Sequence, residues 1–244
     1  QAYGISFPAD AFSAETTRLS VRIGDSRFSA EGVELRIQRP DISLQGSLQF
    51  GPLTPLGGDI MGPFRHIPAM QCNHGVISMR HAVRGTLRLQ GETIRLDGAV
   101  GYIETDWGHS FPNRYLWTQC NLFAAADLSI MASAATIPLG PFVFPGCICS
   151  IRHQGREYRL ATYRGAHIKR FTPQWLEIRQ HPYTFTAQCL CQQPVALRAP
   201  IAGAMGRVIR ESPAATVRYR LFAKEELLFD RTGDAAGFEY ASTD

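Results

Sequence analysis

Alternation of apolar and polar residues at every second position is the pattern that most constrains the fold of this chain. It is clear in residues 42–50, Ile-Ser-Leu-Gln-Gly-Ser-Leu-Gln-Phe, where Ile42, Leu44 and Leu48 fall on one face of an extended segment. Successive side chains of a β-strand point to opposite faces, so a period of two predicts strands with one buried face. Because the pattern recurs along most of the chain, we predict a mainly β protein.

Turn signals between the alternating runs predict hairpins and loops. The dipeptides Gln90-Gly91 and Gln154-Gly155 each separate two alternating runs, which is typical of a β-hairpin. Glycine and proline clusters over residues 51–58 and 137–146 predict two long loops. The helical pattern is weak, and residues 202–210, which precede Pro213, are the one short helix that we predict.

Size and charge narrow the classes of protein and of partner. The chain has 244 residues, of which 45% are hydrophobic and 19% charged, as in a globular protein with a core. The net charge is +4, but arginines such as Arg84, Arg88 and Arg95 alternate along predicted strands. Charge scattered in this way indicates solvated strand faces, so we expect no nucleic-acid partner. No apolar run reaches the length of a membrane span, although peripheral contact with a membrane is left open.

Six cysteines are present, and four of them form Cys-x-Cys pairs, Cys147 with Cys149 and Cys189 with Cys191. Each pair would point to one face of a strand, and four thiolates from two facing strands could bind zinc. Zinc ligands are usually spaced by two to four residues on loops, so we interpret the pairs as core residues and expect no metal. The start of the chain lacks a secretory leader, which predicts reduced thiols and a cytoplasmic location.

Two carboxylates and several aromatic residues are concentrated in Gly101-Tyr-Ile-Glu-Thr-Asp-Trp-Gly-His-Ser-Phe-Pro112. In a regular strand Tyr102, Glu104 and Asp106 would share one face, and Trp107 would lie on the other. After a turn, the next strand would present five side chains on one face: Tyr115, Trp117, Gln119, Asn121 and Phe123. An acid that faces an aromatic wall is suited to proton-initiated chemistry on an apolar substrate.

This region resembles the core motif of the tocopherol cyclase family. The resemblance rests on the segment above, with Trp117-Thr-Gln-Cys-Asn121 after it, and it covers nearly the whole chain. Further motifs follow the family's order: Ile60-Met-Gly-Pro-Phe64, Ile67-Pro-Ala-Met-Gln-Cys-Asn-His-Gly-Val76, Ser78-Met-Arg-His81, Tyr158-Arg-Leu-Ala-Thr-Tyr163, Leu197-Arg-Ala-Pro200 and Arg210-Glu-Ser212. Several separated motifs in one order make the resemblance specific.

The resemblance and the strand pattern together predict the architecture. We expect two successive antiparallel, lipocalin-like β-barrel or sandwich domains with at most one or two short helices. The boundary is placed at the turn after Gly108, so that residues 1–110 form the first domain and residues 111–244 the second. The family's usual aromatic-rich opening segment is absent from the sequence, which leaves open that the first domain is incomplete as written.

The resemblance implies cyclisation of a prenylated quinol without a cofactor. A carboxylic acid protonates an alkene of the isoprenoid tail, and a phenol oxygen captures the tertiary cation to close a ring. Such an acid must stay protonated near neutral pH, which requires an apolar environment or a neighbouring like charge. Aromatic faces would stabilise the cation, and exclusion of water would prevent its hydration. Glu104 occupies the family's acidic position and is the predicted donor, with Asp106 beside it.

Each candidate residue also has a structural interpretation. Glu104 and Asp106 could be exposed strand carboxylates, or could pair with Arg80 or Arg114. Trp107 would be a core residue if its strand is regular, or a wall of the pocket if a bulge turns it. The remaining substrate-binding candidates could instead pack the core or hold a loop: Tyr102, Tyr115, Trp117, Gln119, Asn121, Asn73, His74, His81 and Tyr163. Among these, His74 could act as a base towards the phenol.

Three other functions stay open on the sequence alone. A hydratase would use the same protonation but let water capture the cation. A lipid carrier would need only an apolar cavity, and a structural β-protein would need none. A small apolar ligand, such as a prenylquinol or another isoprenoid lipid, is the partner that the cyclase, the hydratase and the carrier share. The oligomeric state is not predicted.

Overall fold

The computed structural model describes residues 2–68, 70–124, 127–139 and 141–242. Over these residues the chain is built almost entirely of β-strands, with three 3-10 helices at Ala9–Ala11, Gly62–His66 and Thr162–Arg164. The strands of the first sheet are β1 (Phe12–Ala14), β2 (Ser20–Ile23), β3 (Ser26–Ser29), β4 (Gly32–Arg39), β5 (Ile42–Phe50), β6 (Cys72–Leu89), β7 (Glu92–Arg95) and β8 (Ala99–Gly108).

The strands of the second sheet are β9 (Tyr115–Cys120), β10 (Leu128–Leu139), β11 (Phe142–His153), β12 (Arg156–Ala161), β13 (His167–Thr172), β14 (Trp175–Gln180), β15 (Tyr183–Cys191), β16 (Val195–Ile201), β17 (Ala204–Ala223) and β18 (Glu226–Ala241). Within the described residues, no helix is both long enough and apolar enough to cross a membrane.

Both sheets follow simple antiparallel ladders. Strands β1 to β7 are neighbours in sequence order, and β8 pairs with β6. In the second sheet the order is β12-β11-β10-β9-β18-β17-β15-β14-β13, and β16 pairs with β17. The prediction of a mainly β chain with antiparallel sheets is therefore confirmed. The two predicted hairpins are also present, as β6–β7 and β11–β12, with Gln90 and Gln154 in the left-handed region at their turns.

The chain folds into two compact units. The first unit consists of residues 1–54 and 80–103, and the second of residues 55–79 and 104–244. The predicted domain boundary between residues 110 and 111 stays a prediction. The second unit contains the cavity described below, so its core determines where the site residues lie.

Two local predictions are wrong. Residues 202–210 are not a helix, because β17 begins at Ala204 and pairs with β16. Residues 137–146 are not a long loop, because β10 and β11 continue through them as a hairpin. The prolines are tolerated there since β9 pairs with β10 only as far as Ala135, and β12 pairs with β11 only from Ile148 onward. Both proline sites therefore lie where a strand has one neighbour and needs no amide donor on its other side.

The main core of the second unit lies beneath the ladder from β9 to β18. Leu116, Phe185 and Phe238 are completely buried within it. Tyr219 is also completely buried, and its hydroxyl lies 2.6 Å from Thr118 Oγ1, so its polar group is satisfied. This core fixes β9, β17 and β18, which contribute Tyr115, Trp117, Ile209, Glu211 and Glu239 to the cavity wall.

Replacement of a fully buried aromatic residue should destabilise this core far more than replacement of an exposed one. We expect Phe185→Ala to lower the free energy of unfolding by about 3–5 kcal/mol, because it removes apolar contacts and leaves a cavity. Phe142, whose surface is 74% exposed, is the matched control, and Phe142→Ala should change stability by less than about 0.5 kcal/mol. Denaturant unfolding followed by circular dichroism measures both, and equal losses would contradict this description of the core.

Candidate functional site

A histidine held between two carboxylates is the centre of the site. His74 lies on β6, and Glu104 and Asp106 lie two residues apart on β8, so that both carboxylates project from the same side of their strand. His74 Nδ1 is 3.1 Å from Glu104 Oε1 and 2.8 Å from Asp106 Oδ1. The predicted shared face of the two acids thus has a specific partner, an imidazole.

Burial and the two carboxylates act in opposite directions on the charge of His74. Desolvation favours the neutral imidazole, but hydrogen bonds to Asp106 and Glu104 outweigh it and raise the pKa of His74 to about 10. The ring is therefore an imidazolium at neutral pH. The cluster thus joins the imidazolium of His74 to the carboxyl groups of Glu104 and Asp106.

Glu104 has a second hydrogen-bond donor in the indole of Trp117. Trp117 Nε1 is 3.1 Å from Glu104 Oε1 and 3.4 Å from Oε2. The indole lies against β18 at Gly237, where a Cβ atom would come within 2.7 Å of the ring. A glycine at this position therefore allows Trp117 to lie close to the strand backbone and to reach Glu104.

A cavity of about 290 Å³ lies beside this cluster, entirely within the second unit. Its wall combines apolar and aromatic side chains with ionisable ones, the pattern expected of a small-molecule site. The lining residues are Cys72, His74, Asp106, Phe111, Pro112, Tyr115, Trp117, Ser133, Ala135, Leu197, Arg198, Ile209, Glu211 and Glu239. A narrower pocket of about 50 Å³ shares His74 and Ala135 with it and adds an apolar wall of Met61, Phe64 and Ile137.

A second acidic group lies in the same cavity wall. Glu239 on β18 is buried and accepts a short hydrogen bond from the hydroxyl of Tyr115 on β9. Burial is the main cause that raises the pKa of Glu239 to about 7. Burial also raises the pKa of the neighbouring Glu211, and the charge of Glu104 adds to that effect. The cavity thus contains an ion-paired cluster and a carboxyl group that is easily protonated.

The cluster also has the donor types of a metal site. One ligand atom from each of His74, Glu104 and Asp106 lies within 4.8 Å of the others, and nitrogen and carboxylate donors suit divalent cations. His74 Nδ1 lies within hydrogen-bond distance of both acids, and we describe this arrangement as an ion pair. The cysteines do not offer an alternative, because within the described residues this cluster is the one such group.

The cysteine pairs differ in burial. Cys147 and Cys149 are both buried, but Cys189 is buried and Cys191 is exposed, since a register shift between them interrupts the alternation of β15. The four thiols thus do not share a site, and three of them pack in the core of the second unit. The interpretation of these three residues as core residues agrees with their burial.

The structure brings together five of the residues singled out from the sequence. His74, Asp106, Tyr115 and Trp117 line the cavity, and Glu104 contacts two of them. Arg114, considered as an ion partner for the acids, instead donates to the carbonyl oxygen of Phe171 at 2.9 Å. The roles predicted for these five residues stay predictions, since their positions alone do not test them.

The other predicted residues lie elsewhere. Tyr102 and His81 belong to the first unit, where His81 is buried with its ring centroid 4.6 Å from that of Phe50. Tyr163 donates its hydroxyl to the carbonyl of Ile60 at 2.9 Å and so holds the loop before β6. Three more residues are not among those that line the described part of the cavity: Asn73, Gln119 and Asn121.

Trp107 does not fit the expectation of a core residue, because its surface is 50% exposed. It lies on the face of β8 opposite to the two acids, as the alternation predicts, but that face is open to solvent near the end of the strand. The prediction that Trp107 is part of the core was therefore wrong, and it does not line the cavity.

Several cavity residues were missed, although some carried a signal. Leu197, Arg198 and Glu211 lie in motifs that support the family resemblance, yet no chemistry was assigned to them. Glu239 carried no signal at all, because it lies in Phe-Glu-Tyr near the end of the chain and far in sequence from its partner Tyr115. Only strand pairing places these residues together.

Comparison with protein families agrees with the motifs. A family model described as tocopherol cyclase-like matches residues 61–241. The chain belongs to this family. Two plant relatives align with the tocopherol cyclase-like chain over 85 residues: "Probable tocopherol cyclase, chloroplastic" of Oryza sativa subsp. japonica is 29% identical, and "Tocopherol cyclase, chloroplastic" of Zea mays is 28% identical. Each alignment covers 33% of this chain and 18% of the plant protein.

A solved structure supports the fold of this tocopherol cyclase-like protein. Kievitone hydratase from Nectria haematococca superposes with a TM-score of 0.54, over 94% of this chain and 73% of the hydratase. The sequence identity is 12%, so the likeness concerns the fold alone.

The charge of His74 should be visible in the pH dependence of stability. Because its folded pKa is raised from 6.5 to about 10, its ion pairs stabilise the fold fully below about pH 6.5. This contribution is lost as the pH rises through about 10. The difference in unfolding free energy between the wild type and His74→Gln should therefore shrink from pH 6.5 to pH 10. A difference that stays constant over this range in denaturant titrations would contradict the ion pair.

The contact of Trp117 with Glu104 depends on Gly237. We expect Gly237→Ala to displace the indole, because the added methyl group would lie 2.7 Å from a ring carbon. Tryptophan emission should shift and broaden, since Trp117 is one of only three tryptophans. Gly206→Ala on β17, where the nearest heavy atom lies 3.5 Å from the added carbon and the backbone is not left-handed, controls for the loss of a glycine. Unchanged emission in Gly237→Ala would show that the position of the Trp117 indole does not depend on the absence of a side chain at residue 237.

Proposed function

We propose that this chain cyclises a prenylated quinol by acid catalysis in the cavity of its second unit, without a cofactor. A carboxylic acid donates a proton to an alkene of the isoprenoid tail, and the phenol oxygen closes the ring. The partner is a small apolar ligand, and the proposed location is the cytoplasm. The names of the two plant relatives support this proposal. Because the alignments cover only 18% of the plant proteins, their activity is carried over to this chain only as a proposal.

The observation that carries the proposal is the combination of acids and aromatic faces around one cavity. Asp106, Glu211 and Glu239 line the same space as Tyr115 and Trp117. Protonation of an alkene needs an acid in an environment poor in water, and burial favours the protonated form of the Glu239 carboxyl group near neutral pH. The aromatic rings are available to stabilise a cation.

The composition of the lining suits part of an isoprenoid substrate. The smaller pocket lined by Met61, Phe64 and Ile137 offers apolar contacts for a tail, and it shares His74 with the cavity. A quinol hydroxyl would then find hydrogen-bond partners in the cluster of His74 and Asp106. The phenol oxygen and the alkene could thus be held in one cavity, which is how an intramolecular reaction gains from fixed geometry.

Hydration is the second function that a specific observation favours. The superposed structure is a hydratase by name, and protonation of an alkene is common to both reactions. The two differ in whether water or the phenol oxygen captures the cation. A carrier without catalysis would use the apolar cavity and leave the carboxyl groups idle.

Incubation of the purified protein with a prenylated hydroquinone under reducing conditions distinguishes these functions. Cyclisation is an isomerisation, so the product should have the mass of the substrate and a different retention time. Hydration would add one water to the mass. Tight binding without a new product would favour a carrier and contradict the proposed cyclase.

The cluster contributes to turnover if the proposal holds, and Glu104→Gln tests this. We expect kcat to fall by at least about 10-fold, because a neutral amide does not hold the imidazolium of His74 as a carboxylate does. Glu226→Gln is the control, since Glu226 is an exposed residue at the start of β18. Full activity of Glu104→Gln would show that the prediction for Glu104 is wrong.

A further inference from the structure

Glu239 is a carboxyl group of the cavity that the sequence motifs do not include. It lies on β18, where the register places it opposite Trp117 of β9 on one side and Glu211 of β17 on the other. Only 6% of its surface is exposed, and it lines the cavity together with His74 and Asp106. A buried glutamate that borders an apolar cavity needs an explanation, because a buried charge without a partner is costly.

The hydrogen bond that Glu239 accepts comes from a neutral group. The donor is the hydroxyl of Tyr115, and the acceptor is Glu239 Oε1. Arg207 is near, but its guanidinium donates to the backbone carbonyls of Pro112 at 2.8 Å and Asn113 at 3.2 Å. Within the described part of the chain, the ion pairs shorter than 4.0 Å do not include Glu239.

The groups that face Glu239 come from three strands. They are Tyr115 on β9, Glu211 and Arg207 on β17, and Asp106 on β8. Burial raises the pKa of Glu239 to about 7. The Tyr115 hydrogen bond and the charge of Arg207 lower this pKa, and the charges of Glu211 and Asp106 raise it. At neutral pH a large fraction of Glu239 is therefore a neutral carboxylic acid.

Glu104 differs from Glu239 in each of these respects. It contacts an imidazolium and accepts the N–H of Trp117, which are the partners of an ionised carboxylate. Within the described residues, the cavity lining contains Asp106 and Glu239 but not Glu104. Glu239 therefore lines the cavity and also carries a proton that it can donate.

We propose that Glu239, rather than Glu104, is the acid that protonates the alkene, an assignment that rests on the proposed cyclisation. The O–H bond of Glu239 breaks, and its proton forms a new C–H bond at the less substituted alkene carbon. The phenol oxygen then bonds to the tertiary carbocation, and its proton passes to the carboxylate of Asp106. Asp106 is partly exposed and exchanges that proton with solvent, while Glu239 is reprotonated, so that the net reaction is an isomerisation.

The test compares Glu239→Gln with Glu104→Gln and with the exposed control Glu226→Gln. The probe is a prenylated hydroquinone, and turnover in D₂O should place one non-exchangeable deuterium in the product. We expect Glu239→Gln to lower kcat by about 100-fold or more while it still binds the substrate, because its amide cannot replace the acid. Glu104→Gln should lose less activity than Glu239→Gln, and Glu226→Gln should match the wild type.

The pH dependence provides a readout that a structural role would not change. For the wild type, kcat should be constant below about pH 6 and fall about tenfold per pH unit above about pH 7, as the donor loses its proton. The same falling limb should persist in the residual activity of Glu104→Gln. If Glu239→Gln does not fold, this profile decides the assignment, and a wild-type rate that does not fall between pH 7 and 9 would overturn it.

The remaining outcomes separate this assignment from the proposed function. A wild type that cyclises the substrate while Glu239→Gln stays within a few-fold of it would overturn the role of Glu239 and leave the cyclase standing. If Glu104→Gln alone loses most of its kcat, or if the decrease of kcat above pH 7 disappears in that variant, the proton donor belongs to the His74 cluster. A wild type that binds the substrate without converting it would overturn both.

Discussion

The ion pair of His74 with Glu104 and Asp106 is the interaction on which the rest of the site depends. Two carboxylates on one strand face repel each other, and the imidazolium between them makes their proximity tolerable. Trp117 reaches the same cluster through its indole N–H, and it can do so because Gly237 leaves room for the ring. One charged group therefore positions an acid, a second acid and an aromatic wall of the cavity.

Glu239 lines the same cavity but follows a different physical rule. It is buried beside another carboxyl group, and these two effects favour its protonated form, whereas the hydrogen bond from Tyr115 acts against it. The cavity thus contains two environments for ionisable groups. One stabilises an ion pair, and the other stabilises a neutral carboxylic acid. A difference in protonation of this kind distinguishes the general acid from the general base in a site that transfers protons.

Local sequence patterns predicted the presence of the strands better than the residues at which they begin and end. The alternation indicated the faces of β5 and β8, and glycine at the turns indicated two hairpins. The predicted helix over residues 202–210 and the loop over residues 137–146 failed because edge and one-sided strands accept prolines and glycines that a central strand would not. The exposure of Trp107 could not be predicted either. Alternation indicates on which face of the strand a residue lies, but not whether other residues cover that face.

The sequence by itself determined the family, the β architecture and the shared face of Glu104 and Asp106, because each depends on motifs or on a period of two along one strand. Only the tertiary structure decided that His74 joins these acids and that Glu239 meets Tyr115, which lies 124 residues away in sequence. Pairing of β18 with β9 and β17 creates that contact, and the same pairing excludes the water that would otherwise ionise the acid. The protonation of a carboxyl group depends on its surroundings, and distant strands supply them.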